Sequence, residues 1–450
     1  METAKRSTTS HEMQALVSCG FVCFRGSYSI ALVVCLSLAI LLPVWAQEKP
    51  ATILQAVAKP GEVRALWVVR TTLTSPEKIR SMVEKASLNG FNTLIVQVRG
   101  RGDAYYRSRK EPRAMELREQ PIEFDPLALT LSEAKRRGLK VHAWVNTGLL
   151  ANLDSLPTDP NHVYHKHPEW LAVPRPVAGD LHKMSPRDPR YRERIVEWSK
   201  ANRAELEGIY TGPANPKVRQ HIYDIWMDIL KNYDVDGLHF DYVRLASPDF
   251  DYSRTSLEKF RKWLEPKISA AERRKLKQAL QQNPLAAPDS YAAKFADFQR
   301  EQITMLVERI YRGVKQRKPK VIVSAAVFAN DENAFTRRFQ DWRRWLSMGI
   351  LDVACPMAYS TDTAIFRKQI EIATASAHSA GRNIWAGIGA YRIPVESTVE
   401  KINVARAVGA DGIVLFSYDF TTRVGDLNPG GNYLERVRRA AFEPTTAAAP

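Results

Sequence analysis

The chain is poor in cysteine. It has four, and three of them (Cys19, Cys23 and Cys35) lie in an N-terminal leader, so the body of the protein keeps only Cys355. A single thiol excludes an internal disulfide and a cysteine-built zinc site. Standing beside Pro356 at the end of an apolar run, Cys355 reads as a core residue. Three catalytic signatures are also missing: a glycine-rich phosphate loop after the first strand, a nicotinamide-binding fingerprint and a G-x-S-x-G nucleophile elbow. Strand-end histidines are few. His239 has only His142 for company, and His142 has apolar neighbours, so neither a metal nor a cofactor is expected. The loop histidines His162, His165 and His167 read as part of a solvated lid. Acidic residues are outnumbered, 49 against 65 lysines and arginines. The basic residues are scattered through helices, as in Lys135-Arg136-Arg137 and Arg273-Arg274-Lys275, with no finger, arm or aromatic-interleaved repeat. Nucleic acid is therefore not an expected partner.

Long apolar runs are absent except for one. Ile30 to Val44 is uncharged, follows Lys5, Arg6 and Arg25, and leads into Val44-Trp45-Ala46 before Gln47. This is the pattern of a secretory signal cleaved after Ala46, with an uncleaved N-terminal anchor as the alternative. The expected location is secreted, periplasmic or cell-envelope. Membrane contact would come only through the N-terminal segment if it is retained. Residues 1–46 carry three cations and two anions, so their removal lowers the net charge from +16 only to about +15. A short linker, 47–61, precedes a body spanning 62–442, and 443–450 reads as a low-complexity disordered tail.

Within the body, short β-type runs alternate with longer amphipathic ones. Strand candidates cover 64–70, 92–98, 140–146, the stretch 233–242 with Asp241 at its tip, 320–327, 352–357, 383–388 and 411–416. Helix signals separate them. Ser75-Pro76 opens one helix and Asp125-Pro126 another, while Val218, Ile222, Ile225, Trp226 and Ile229 share one face of a third. Eight strands joined through helices predict an α/β fold, a (β/α)8 TIM barrel with long βα-loop insertions, the open doubly wound sheet being the competitor. The insertions are a Pro- and His-bearing loop over 147–190 and a charged helical segment over 255–293.

Active sites of such barrels lie at the C-terminal tips of the strands. Those tips carry Gln97, Arg99 and Asp103 (second strand), Trp144 and Asn146 (third), and His239, Asp241 and Arg244 (fourth). Later strands lead to Asp331 and Glu332, then Tyr359, Tyr391, Tyr418 and Asp419. Aromatic rings stack on sugar faces, and amides, guanidinium groups and carboxylates bind hydroxyls. Glycoside hydrolysis needs two carboxyl groups. Asp241 is the first; the second is open among Glu332, Asp331, Asp103 and Asp419.

Glu62-Val-Arg-Ala-Leu-Trp67, Asn92-Thr-Leu-Ile-Val-Gln-Val-Arg99 with Gly102-Asp103-Ala-Tyr-Tyr106, Asp125-Pro-Leu127, Gly138-Leu-Lys-Val-His-Ala-Trp-Val-Asn146, Val218-Arg219 and Tyr233 to Asp241 resemble the glycosyl hydrolase-like family 10. The resemblance covers roughly Glu62 to Asp419. It implies a barrel related to retaining α-glycosidases, with the nucleophile at the end of strand four, here Asp241. It also implies a glycan substrate, since similar members include an envelope enzyme that cleaves peptidoglycan strands stripped of their peptides. The family often has a second Asp after the strand-four carboxylate, and here that place is Tyr242.

The expected function is hydrolysis of glycosidic bonds in an envelope or extracellular polysaccharide. The alternative is a non-catalytic glycan-binding barrel. The charge of the body suits an acidic glycan. Its binding to peptide-stripped glycan strands should weaken as salt rises from about 0.05 to about 0.5 M. Affinity unchanged over that range would remove the argument from charge.

Overall fold

The computed structural model describes residues 59–443. The expected leader, the tail from residue 444 and most of the linker lie outside the described residues. Eight parallel strands close a barrel: β1 (Val63–Val68), β2 (Thr93–Arg99), β3 (Lys140–Asn146), β6 (Gly237–Asp241), β7 (Ile322–Phe328), β8 (Val353–Met357), β9 (Asn383–Ile388) and β10 (Gly412–Phe416). Each pairs with its successor, and β10 returns to β1, with Val63 opposite Gly412 and Trp67 opposite Phe416. This is the (β/α)8 barrel, and closure excludes the open doubly wound sheet. The remaining strands, β4 (Leu149–Ala151) and β5 (Ile209–Tyr210), form a separate antiparallel ribbon above β3.

The strands form where apolar runs can be buried on both faces, as a parallel barrel demands. Period-two alternation then sorts the side chains. Leu66, Val68, Leu94, Val96, Leu238 and Phe240 point outward to the surrounding helices, while Ala65, Trp67, Ile95, Trp144, Ala326, Cys355, Trp385 and Val414 fill the interior. Close packing leaves some positions to glycine. A Cβ at Gly237 would lie 2.4 Å from His142 Cε1, so the barrel floor admits no larger residue there without shifting the imidazole.

The helices begin as their sequence signals predict. Asn215 accepts from the Lys217 N–H ahead of helix Pro216–Asn232, with Pro216 in its first turn. That helix buries Trp226 against Phe240 of β6 at 3.9 Å between ring centroids, which seats β6 from behind. The loop expected over 147–190 is more ordered than its composition suggests. It contains β4 and helices Val163–Lys166 and Arg175–Lys183, and a third helix, Pro189–Ala201, leads on to β5. The histidines there are held by contacts: His162 is buried and bonded to the Arg101 carbonyl at 2.7 Å, while His167 stacks on Trp170 at 3.9 Å and stays partly exposed.

The top of β2 is tied to the top of β3 by a buried ion pair. Arg99 forms two bonds to Glu111, 2.7 and 2.6 Å, and also donates to the Asn146 carbonyl. Both side chains are essentially inaccessible, 1% and 0% exposed. The pair holds the Glu111 carboxyl at about 2; burial alone would raise it, but Arg99 and His221 together outweigh that effect. Removing one partner strands the other charge in the interior, which costs about 3–5 kcal/mol. Glu111→Ala should therefore lower the free energy of urea unfolding by about that amount, and a loss below about 1 kcal/mol would show that the pair is dispensable.

Candidate active site

A cavity of about 410 Å³ opens at the C-terminal end of the barrel. Trp67, Trp144, Tyr359 and Phe416 supply its aromatic surface, Gln97 and Asn146 its amides, Arg70, Arg101 and Arg244 its cations, and Asp241 and Glu207 its carboxyl groups. Trp67 and Trp144 meet Phe416 edge-on at 6.0 and 6.5 Å, so the rings form one connected wall.

Asp241 reaches the cavity because Gly237, His239 and Asp241 share the inward face of β6 and Asp241 is the last of the three. Asn146 lies opposite it on β3. Burial pushes the Asp241 carboxyl up from its ordinary 3.8 to about 6, with the nearby Glu207 charge adding to the rise. The Tyr242 N–H, the Arg244 guanidinium and the Trp144 indole work against it. The Tyr242 N–H bonds Asp241 Oδ1 at 2.7 Å. Tyr242 itself adopts φ +50°, in the left-handed region that a bulky residue rarely occupies. Its ring packs under Arg244, 4.8 Å from the guanidinium carbon to the ring centroid.

Glu207 comes from outside the barrel. It stands two residues before the start of β5, and the ribbon with β4 brings it over the cleft. Gly208 allows the approach, since a Cβ there would stand 2.0 Å from the Ala151 carbonyl oxygen. Glu207 receives Arg244 at 2.7 Å and the Tyr210 hydroxyl at 2.6 Å. Burial would raise its carboxyl, yet Arg244 and Tyr210 together hold it below the usual value. The two carboxyl groups of the cleft are thus displaced in opposite directions.

A raised carboxyl alone does not mark a site. Asp251 is also pushed up to about 6 by burial, but it is fully enclosed and bonded to the Val173 and Ser253 N–H groups, both at 2.9 Å. It fastens a loop. Asp241 differs in facing a cavity lined with rings and donors.

Of the residues proposed from sequence, Gln97, Trp144, Asn146, Asp241, Arg244 and Tyr359 line this cavity together. The others do not. Arg99 is spent on Glu111, because a register shift between Gln97 and Arg99 turns its side chain away from the cleft. His239 lies beneath the cavity floor, accepting from Trp67 Nε1 at 3.2 Å and bonded to Ser324 Oγ at 2.8 Å. Asp331 and Glu332 occupy the first turn of helix Asp331–Arg337, where acids suit the positive end of the helix dipole. Asp331 pairs with Arg343 at 2.8 Å and Glu332 is exposed. Asp419 accepts from the Val69 N–H at 2.8 Å and from Thr72, fixing the turn after β1. Tyr418 packs in the outer core. Asp103 lines an adjoining cavity of about 570 Å³. Tyr391 lines another of about 240 Å³, 5.9 Å from Tyr359 and 5.6 Å from Phe420 between ring centroids. Glu207, Arg70 and Arg101 were not foreseen. For Glu207 the available signal was Gly208-Ile209-Tyr210, a glycine and two β-type residues that mark an extra short strand.

The profile of the family described as "Glycosyl hydrolase-like 10" matches residues 62–201 and 194–404. Glycosyl hydrolase DigH of Escherichia coli is 27% identical over 299 residues, 60% of this chain and 55% of that protein. Glycosyl hydrolase YngK of Bacillus subtilis is 23% identical over 336 residues, 66% and 54% respectively. The chain thus spans about half the length of the curated relatives it matches. Among solved structures, the glycoside hydrolase domain of PgaB (BpsB) from Bordetella bronchiseptica superposes with a TM-score of 0.56 at 17% identity, covering 85% of this chain and 99% of that one. The catalytic domain of a β-amylase from Paenibacillus polymyxa gives 0.55 at 12%, covering 86% and 100%. The barrel fold is thus shared with glycoside hydrolases, and the family match runs through every strand from β1 to β9: the chain belongs to the glycosyl hydrolase-like 10 family.

Proposed function

We propose that the protein is a secreted, envelope-acting glycoside hydrolase that cleaves glycosidic bonds of a polysaccharide, peptide-stripped peptidoglycan strands being the substrate we favour, with Asp241 as nucleophile or base. The observation that carries this reading is Asp241 at the tip of an interior-facing strand, in a cavity walled by Trp67, Trp144, Tyr359 and Phe416. Rings of this kind take the apolar faces of sugars, while Gln97 and Asn146 offer polar groups to hydroxyls. The ring series continues outward through Tyr391 to Phe420, which is 43% exposed, so a chain longer than one sugar has a surface to follow.

In this reading Asp241 acts ionised, attacking the anomeric carbon or taking a proton from water; the bond from that carbon to the leaving sugar's oxygen breaks, and that oxygen takes its proton from solvent in the open cleft. Burial makes the anion less stable than in water, which favours its reaction with a cationic sugar centre. Glu207, held ionised by Arg244, is the second carboxylate of the cleft. A second reading follows from the opposed displacements of the two groups. In it Asp241 is the protonated acid and Glu207 accepts or attacks.

The dependence of kcat/KM on pH separates the two, since it reports the free enzyme's essential groups. With Asp241 as nucleophile or base, activity on peptide-stripped sacculi falls as pH drops below about 6. A limb near 6 with activity lost on the alkaline side instead assigns it as the acid. Asp241→Asn should lower activity by at least about 10³-fold, and retained activity would sink either role.

The same group sets a stability difference. Its folded value lies above its unfolded one, so its stabilising proton is fully present below about pH 4 and lost as pH rises through about 6. Asp241→Asn cannot lose that proton. At pH 8 the variant should melt at the same temperature as wild type or higher, and the gap should close at pH 4. A variant that melts lower than wild type only at pH 8 would contradict the raised carboxyl.

A further inference from the structure

Arg70 and Arg101 line the same cavity as Asp241, and each has a buried Nε without a partner. Among the described residues the Arg101 guanidinium has no hydrogen-bond acceptor, and its Nε is buried and unpaired. Arg70 donates from one terminal nitrogen to Gln97 Oε1 at 3.0 Å, and its Nε is likewise buried without a partner. Asp103 and Glu116 lie near enough for their charges to favour the Arg101 cation, but neither bonds its guanidinium, and the other carboxylates nearby are engaged elsewhere. Glu207 holds Arg244, Glu111 holds Arg99, and Asp103 Oδ1 accepts the backbone N–H of Arg101 at 2.8 Å. Two half-buried cations side by side repel. Burial, followed by the charge of Arg70, makes Arg101 release its proton more readily than an ordinary arginine.

Nor are these arginines loose. Gly100 lets the Arg70 side chain lie across the backbone, since a Cβ there would come within 2.5 Å of Arg70 Cδ. Gly102 takes φ +74°, and the Arg101 carbonyl is fixed by His162 at 2.7 Å. The His162 ring accepts the Tyr164 N–H on its other nitrogen, so the nitrogen facing Arg101 carries the proton. Two adjoining guanidinium forks, neither paired with a carboxylate, suit a planar anion delivered by the ligand.

We infer that Arg101, with Arg70 beside it, is a carboxylate subsite of the cleft, and that the sugar bound next to Asp241 is acidic, bearing a muramyl lactyl group or a uronate. This rests on the hydrolase reading for its setting but concerns binding, and the two can fail separately. The full chain carrying Asp241→Asn, which prevents turnover, is titrated calorimetrically with peptide-stripped peptidoglycan strands and with oligogalacturonate. Each is offered as the free acid and as its methyl ester, and dextran sulfate serves as a non-carboxylate polyanion.

At least one acid should bind roughly tenfold or more tightly than its ester, as charge-assisted bonds of ~1.5–3 kcal/mol imply. Which acid shows the preference identifies the source of the carboxylate. Arg101→Gln should abolish the preference and leave ester affinity unchanged, and Arg101→Lys should keep part of it. Equal affinity for acid and ester, an equal loss for both in Arg101→Gln, no binding of either acid, or the same Arg101 dependence with dextran sulfate would each overturn the assignment. An Arg101-dependent acid preference with no sugar released by the wild type would leave the subsite standing and remove the hydrolase.

Discussion

The barrel interior must be filled by the barrel's own side chains, and that constraint decides where chemistry can occur. Closing eight strands leaves an interior just wide enough for packed residues. Here three tryptophans, Trp67, Trp144 and Trp385, take most of that space, with alanines and a cysteine between them. His142 and His239 are caught in the packing, and burial holds both imidazoles below their ordinary value and hence neutral. Only inward-facing residues at or next to the tip of each strand reach the cleft. Asp241 is such a residue, and so are Gln97 on β2 by way of its bulge, Asn146 on β3 and Phe416 on β10. The floor of the cleft is therefore the ceiling of the core, and Trp67 serves both, bonding His239 below and meeting Phe416 above.

Charge in the cleft follows from the same packing. The rim holds three arginines and two carboxyl groups, an excess of cations over anions. One arginine is consumed: Arg244 bonds Glu207 and lies against the rings of Tyr242 and Phe328. This arrangement lowers Glu207 while leaving Asp241 to bear the desolvation of the barrel mouth. The two groups are displaced in opposite directions by different causes, charge pairing for one and burial for the other. Asp241 therefore retains a proton affinity near neutrality, which is what its proposed role requires.

Much of the fold is legible in the sequence, because a parallel barrel imposes a short apolar run per strand and a capped helix between runs. Seven of the eight strands fall within one or two residues of the ranges read from alternation and turn signals, and the remaining one, β6, occupies 237–241 of the stretch 233–242. The tips were harder to read. Position at a strand end says that a side chain is near the site, not which way it points. Arg99 has the parity of Gln97, but the shift in register between them sends it to Glu111. Asp331 and Glu332 follow β7 closely, yet the chain enters a helix at once, and they serve its first turn. Glu207 is illegible for another reason. It is far from any barrel strand in sequence, and only the pairing of β4 with the two-residue β5 returns it to the cleft.

That return bears on Tyr242. A family pattern with two consecutive carboxylates would place the second charge on the backbone turn after β6. Here the turn carries an aromatic residue in a left-handed conformation, whose N–H supports Asp241 and whose ring supports Arg244. Arg244 in turn fixes the carboxylate that the ribbon delivers. The second negative charge is thus not missing from the cleft; it arrives on a different segment, and Tyr242 supports the cation that receives it. An aspartate at position 242 would put a third carboxylate beside the other two and would remove the ring on which Arg244 rests. Tyr242 and Glu207 are thus joined through one cation, Arg244, which rests on the ring of the first and bonds the carboxylate of the second.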